Sequence, residues 1–288
     1  MNTGANAAQQ EYWNIIAGPR WVGLAGYVEK RVEKVNDLLL ARSAVAPGEK
    51  VLEVGCGTGA ATVPLAEAVG DTGKVVGIDI SEPMLAAARE RISQSGLRNI
   101  TLLRADAQAH AFEPNRFDLI ASRFGVMFFA DPTAAFRNLL GAARPRGGLC
   151  FACWAALEEN RHWLIPYEVA LRHLGPPAPK PPRAPGPTAF AEPEYVRSIL
   201  EGAGYEGIEI RRETPDMIGA SPREEAEHAL VMGPSARLID EMQPQESVRE
   251  LIKQQMTEAF AAYAKGEEMV LPSTIFLVTA RRADAEIS

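Results

Sequence analysis

A mostly parallel α/β sheet with helices on both faces is the fold this sequence predicts, and three observations predict it. Short, nearly unbroken apolar runs of strand length recur between residues 50 and 154. Segments with helical spacing separate them. The first strand-to-helix junction is a glycine-rich turn, Gly55-Cys-Gly57-Thr-Gly59. Strands covered on both faces read as continuous apolar runs, whereas half-exposed strands alternate. Parallel neighbours also need a crossover helix between them, which the strand–helix–strand rhythm supplies.

Along the chain, residues 1–10 are small and polar and are expected to fray. Residues 11–44 carry apolar side chains three and four apart (Val28, Val32, Val35, Leu38, Leu39) and predict helix. After "APGEK" come strand "KVLEVG", helix "GAATVPLAEAV", strand "GKVVGIDI" and helix "EPMLAAARERISQSG". Strands "ITLLRAD" and "FDLIASRFG", a helix near 133–143 and strand "GGLCFACW" complete the rhythm. Residues 158–174 read as helix. Gly175–Pro187, about half proline, excludes helix and central strand and reads as a stiff extended connection pinned across the body. A helix at 192–203 and strands near 207–213 and 274–282 follow, with a helical insertion at about 215–272. The expected organisation is an N-terminal helical cap (1–45), a binding core (46–157), and a remainder (158–288) that finishes the sheet and roofs the site.

Composition narrows the function classes. The 288 residues carry a net charge of −7 with Lys and Arg scattered, so no basic footprint for nucleic acid is visible. No apolar run approaches the ~20 residues of a membrane span. The N-terminus lacks a basic segment followed by an apolar one, so no secretory signal is expected and the default location is cytoplasmic. Cys150 and Cys153 form a C-x-x-C pair inside an apolar strand, with no second ligand pair, and read as buried strand residues. No pair of histidines has metal-site spacing, so no metal is expected.

The glycine turn fits two cofactor classes, because glycines report only how closely backbone can approach a ligand. Asp79, 20 residues after Gly59, suits ribose hydroxyls of either class. The other acids separate them. Glu53, two residues before Gly55, would repel a diphosphate but suits a cationic ligand head. Asp106, after the third strand, can accept from an exocyclic amine. Three acids after three successive strands, at the sheet edge where open α/β sheets bind ligands, predict a pocket for a positively charged nucleoside.

On these residues the sequence resembles the class I S-adenosylmethionine-dependent methyltransferases, in the branch of quinone C-methyltransferases and small-molecule methyltransferases. The likeness is carried by "VLEVGCGTG" (51–59), "VVGIDISEPMLAAAR" (75–89), "LLRADAQ" (102–108), "FDLIASRFGVMFFADP" (117–132) and "ARPRGGLCF" (143–151). It implies a Rossmann-like seven-stranded sheet with an antiparallel last strand and a helical cap. The implied cofactor is S-adenosyl-L-methionine, with S-adenosyl-L-homocysteine as product. It also implies roles: Gly55, Gly57 and Gly59 under the methionine part, Glu53 facing its ammonium, Asp79 on the ribose hydroxyls, Ile80 and Met84 near the adenine, Asp106 and Ala107 on the adenine edge, and Ser122 lining the cofactor. The segment after the fourth strand departs from the quinone branch, reading "SRFGVMFF" without histidine or asparagine. The long insertion before the last strand departs as well.

Methyl transfer needs placement more than chemistry, and a base only when the acceptor must lose a proton. His162, after the fifth strand, is the candidate base, and Arg123 and Phe124 are the candidate acceptor-binding residues. Tyr12, Trp13 and Trp21 either anchor the N-terminal helix or close over the site. Cys56 has no basic neighbour in sequence and reads as packing rather than a nucleophile. The expected partner is a small-molecule acceptor, with monomer and homodimer both open. The competing readings are a non-catalytic S-adenosylmethionine-binding regulator, a nucleic-acid methyltransferase and a nicotinamide-dependent oxidoreductase.

Overall fold

The computed structural model describes residues 6–179, 181–265 and 268–284. Seven strands form the main sheet: β1 (Lys50–Val54), β2 (Lys74–Asp79), β3 (Ile100–Arg104), β4 (Phe117–Arg123), β5 (Ala143–Trp154), β6 (Tyr205–Glu213) and β10 (Ile275–Arg282). Their order is β3-β2-β1-β4-β5-β10-β6, parallel from β3 to β5, with β10 antiparallel to both β5 and β6. The order reverses beside β1, so the carboxyl ends of β1 and β4 flank the switch point where ligands of open sheets bind. Val51, Leu52, Val75, Ile120, Ala121 and Phe151 are fully buried at the centre of the sheet. The apolar runs follow from that double coverage.

The covering helices start and stop where local chemistry requires. Ser81 caps Glu82–Ser95 by accepting from the Met84 amide, Pro83 sits in its first turn, and Gly96 ends it in the left-handed conformation. Asp131 caps Pro132–Ala142 in the same way. Cys150 and Cys153 lie buried in β5, and burial pushes both thiols up, Cys150 to about 12. Among the described residues no helix is long and apolar enough to cross a membrane.

Two expectations need correction. The 11–44 pattern is not one helix but the segments Ala7–Tyr12, Trp13–Ala17, Gly18–Gly23, Ala25–Arg31 and Glu33–Ser43. Trp13–Ala17 is a π-helical turn, and Pro19, which has no N–H to donate back, follows at once. Helix therefore begins at Ala7 rather than fraying to residue 10; residues 1–5 lie outside the described residues. The insertion is not purely helical either. Its helices Pro222–Ala229, Gly233–Met242 and Glu246–Ala261 are joined to a small antiparallel sheet, β7 (Asp216–Gly219), β9 (Glu268–Pro272) and β8 (Ala264–Lys265), in the order β7-β9-β8. Met217, Met269 and Leu271 are buried there, and the short strands carry too few residues for a clear two-residue period. This lobe has its own core, in which Ile252, Met256 and Phe260 pack against Val169 and Ala170 of the helix Arg161–Leu174.

Candidate functional site

The glycine turn leaves β1 with Gly55, Gly57 and Gly59 all at positive φ, +69°, +55° and +79°. A Cβ on Gly55 would stand 2.7 Å from the Cα of Gly125, so the loops after β1 and β4 touch backbone to backbone. Gly55→Ala is therefore expected to misplace both loops, costing several kcal/mol and abolishing ligand binding; thermal melts and calorimetry check both. Gly59 does not reach the cavity: it packs against Ala88, allowing the helix Glu82–Ser95 to come close. Cys56 is buried with its thiol pushed well up by desolvation, a packing residue against Gly77.

Glu53 and Asp79 line one cavity of about 630 Å³ with Gly55, Gly57 and Asp106. Asp79 fixes the turn: it accepts from the Gly57 amide (2.9 Å) and the Ser81 amide (2.8 Å), one on each oxygen. A carboxylate has about four acceptor sites, so Asp79 keeps capacity for a ligand hydroxyl beside these amides. Glu53 is 2% exposed and accepts from the Thr62 hydroxyl. Burial pushes its carboxyl up to about 7, against the opposing Thr62 bond and the nearby Arg123 charge. A carboxylate so desolvated gains by meeting a cation. Asp106 accepts from the Gln108 amide (3.0 Å), and Ile80, Met84 and Ala107 share the same wall.

Ser122 does not line the cavity, contrary to expectation. It is fully buried, donating to the Val54 carbonyl (2.7 Å) and accepting from the Gly125 amide (3.2 Å). It ties the end of β4 to the end of β1 and so acts on the loops, not on a ligand. Arg123, next in sequence, does line the cavity, with Nη1 donating to Asn36 (2.8 Å).

The other half of the cavity is aromatic. Phe124 adopts φ +63° and stacks on Trp154, with centroids 4.1 Å apart and planes 3° from parallel. Trp154 packs in turn on His162 and Trp163. His162 is 4% exposed, its Nδ1 2.9 Å from the Ser273 hydroxyl, and burial pulls its pKa well below the ordinary value. From the N-terminal segment, Trp13 meets Phe128 edge-on at 5.2 Å, and Tyr12 and Trp21 line the same wall. Asn14 staples this segment to the loop after β2, donating to the Ile80 carbonyl (3.0 Å) and accepting from the Glu82 amide (2.9 Å). The sequence left anchor and closure as alternatives for these aromatics; the Asn14 bonds and the Trp13–Phe128 contact anchor the segment, and the three rings line the cavity. Pro181–Thr188 of the proline-rich connection passes across the cavity, pinned by the Gly186 amide to the Met127 carbonyl (3.1 Å).

Sequence reasoning missed one group entirely. Glu225, 2% exposed, forms an ion pair with Arg31 and accepts from the Tyr27 hydroxyl (2.8 Å) and the Ala220 amide (2.8 Å). His228 packs on Tyr27 with the rings tilted 45°, and all four side chains reach the cavity. Glu225 stands in the charged run "REEAEH", where nothing marks one acid as buried.

Residues 51–147 match the family model described as a methyltransferase domain. An aklanonic acid methyltransferase from Streptomyces sp. (strain C5) is 44% identical over 104 residues, covering 36% of this chain and 47% of that protein, so the match spans about half the relative's length. A nocamycin O-methyltransferase from Saccharothrix syringae is 27% identical over 248 residues, 82% of this chain and 86% of that protein. The solved structure of the YcgJ protein from a Bacillus aligns with a TM-score of 0.56 at 11% identity, covering 88% of this chain and all of that one, and shows a shared fold. Over residues 51–147, then, the chain is similar to a methyltransferase domain, on a fold it shares with the YcgJ structure.

Proposed function

We propose that this chain transfers a methyl group from S-adenosylmethionine to a hydroxyl of a flat, largely apolar small molecule. One observation carries the reading: the acid-and-glycine half and the aromatic half belong to a single cavity. The residues present fit the cofactor. Glu53, buried and short of a cation, suits the ammonium, Asp79 keeps acceptor sites for the ribose, and Asp106 suits the adenine amine. When bound, the cofactor supplies a methyl already activated as a sulfonium. This chain's residues then have to orient an acceptor, exclude water and take up a proton.

Phe124 and Trp163, half-buried and packed on the buried Trp154, offer aromatic surface for a planar acceptor and for positive charge. Arg31 is neutralised by Glu225, so the acceptor half favours a ligand without strong net charge. One relative's name, that of an O-methyltransferase, supports an oxygen atom as the acceptor. In this reading the protein works in the cytoplasm on a metabolite rather than on nucleic acid, as a monomer or a homodimer; its net charge of −7 supports that choice of partner.

His162 is proposed to accept the hydroxyl proton. Its lowered pKa leaves the ring uncharged across the neutral range and able to accept. His162→Gln should lower kcat about 100-fold with cofactor affinity unchanged, and kcat of the parent should stay flat from pH 6.5 to 9. A kcat within threefold of the parent would reduce His162 to a packing residue.

The direct test pairs calorimetry with label transfer. S-adenosylhomocysteine should bind and nicotinamide dinucleotides should not. Methyl-labelled cofactor should deliver label to polyhydroxylated aromatic acceptors rather than to amines or RNA. Binding of the dinucleotide alone would overturn the reading.

A further inference from the structure

On the cavity wall a buried acid, Glu53, and a half-buried arginine, Arg123, act on each other electrostatically without a bond between them. Glu53 is hydrogen-bonded to Thr62, and Arg123 donates to the neutral amide oxygen of Asn36 at 2.8 Å. Among the described residues Arg123 makes no ion pair with a carboxylate, although Glu53 and Glu29 lie close enough to act on it electrostatically. Burial disfavours its charge just as it disfavours the charge of Glu53. Each charge is only partly offset by the other and neither has a bonded counter-ion, so this wall favours a ligand that brings the complementary pair.

We infer that Arg123 holds the α-carboxylate of the cofactor's amino-acid part, opposite the ammonium held by Glu53; the inference rests on the cofactor proposed above. Together the two side chains form a mirror-image zwitterion to an α-amino acid. A guanidinium suits this role because its planar fork matches a carboxylate with two parallel hydrogen bonds. Asn36 sets the fork: its amide donates to the Ala60 carbonyl (3.2 Å), which turns its oxygen toward Arg123.

The backbone separates Arg123 from the acceptor. Arg123 ends β4, while Phe124 takes φ +63° and sends its ring onto Trp154 in the aromatic half. Adjacent residues therefore serve opposite halves of the cavity, and the expectation that Arg123 pairs with an acceptor carboxylate gives way. Glu29, which also lines this end, is already paired with Arg91 and is not available as a partner.

The test compares two ligands that differ by the amino-acid part. S-adenosylhomocysteine carries it, and 5′-methylthioadenosine has the same nucleoside thioether without it. Calorimetry on Arg123→Met should show affinity for S-adenosylhomocysteine lowered at least about tenfold and affinity for methylthioadenosine unchanged. Asn36→Asp places a competing carboxylate on the guanidinium and should give the same selective loss, which covers the case in which Arg123→Met does not fold. Unchanged S-adenosylhomocysteine binding in the variants, or equal loss of both ligands, overturns the inference. If the parent protein binds neither compound, the cofactor reading itself has failed.

Discussion

Glu53→Gln is expected to make the ligand-free protein more stable at pH 8 while lowering S-adenosylhomocysteine affinity about 100-fold. Both effects come from one buried carboxyl. Its pKa in the folded chain is about 7, above the ordinary 4.5, so the folded state favours the proton. That stabilisation is complete below about pH 4.5 and is lost as pH rises through 7; above 7 the ionised carboxylate weighs against the ligand-free fold. Glutamine can still accept from Thr62 and carries no charge, so the penalty at pH 8 disappears. The cofactor ammonium needs the charged form, and a hydrogen bond to a charged group contributes about 1.5–3 kcal/mol. For the same reason the parent should bind S-adenosylhomocysteine more weakly at pH 6 than at pH 8, and the variant should show no such slope. Thermal melts at pH 8 with calorimetry at both pH values decide the matter. A variant that binds like the parent would remove Glu53 from the cofactor site.

The second large effect is expected at Glu225. Glu225→Leu leaves Arg31, with a side chain 10% exposed, without its partner and strands the Tyr27 hydroxyl and the Ala220 amide. Removing one member of a buried pair typically costs about 3–5 kcal/mol. For a chain of this size that is a fall in melting temperature of roughly 5–8 °C. The pair joins the helix Ala25–Arg31 to the helix Pro222–Ala229, so the loss should also loosen the roof of the cavity and raise the acceptor KM. Replacing both charges, Arg31→Met with Glu225→Leu, should recover most of the stability, because the uncompensated charge is gone. If the double variant melts no higher than Glu225→Leu, the Tyr27 and Ala220 hydrogen bonds, not the charge, dominate.

These two sites differ in how readable they were. Glu53 was legible because it lies in a local pattern, a strand followed within two residues by a glycine turn that fixes where its carboxylate can point. Asp79 and Asp106 were legible for the same reason, each coming just after a strand of the same sheet edge. Ser122 satisfied that rule and still went elsewhere, since the close approach of Gly55 to Gly125 left two backbone groups for its hydroxyl to satisfy. Glu225 was not legible at all: its burial depends on a partner 194 positions earlier in the chain.

By itself, the sequence determined the parallel sheet, the glycine turn and the acids gathered at the carboxyl edge of that sheet. These rest on periodicity, backbone permissiveness and charge, which act within a few residues of each other. Only the tertiary structure decided which way Arg123 faces, that the N-terminal aromatics wall the cavity, and that the insertion carries a buried ion pair and a small sheet. Those features depend on contacts between segments far apart in the chain, and no local pattern encodes which of several similar residues will meet.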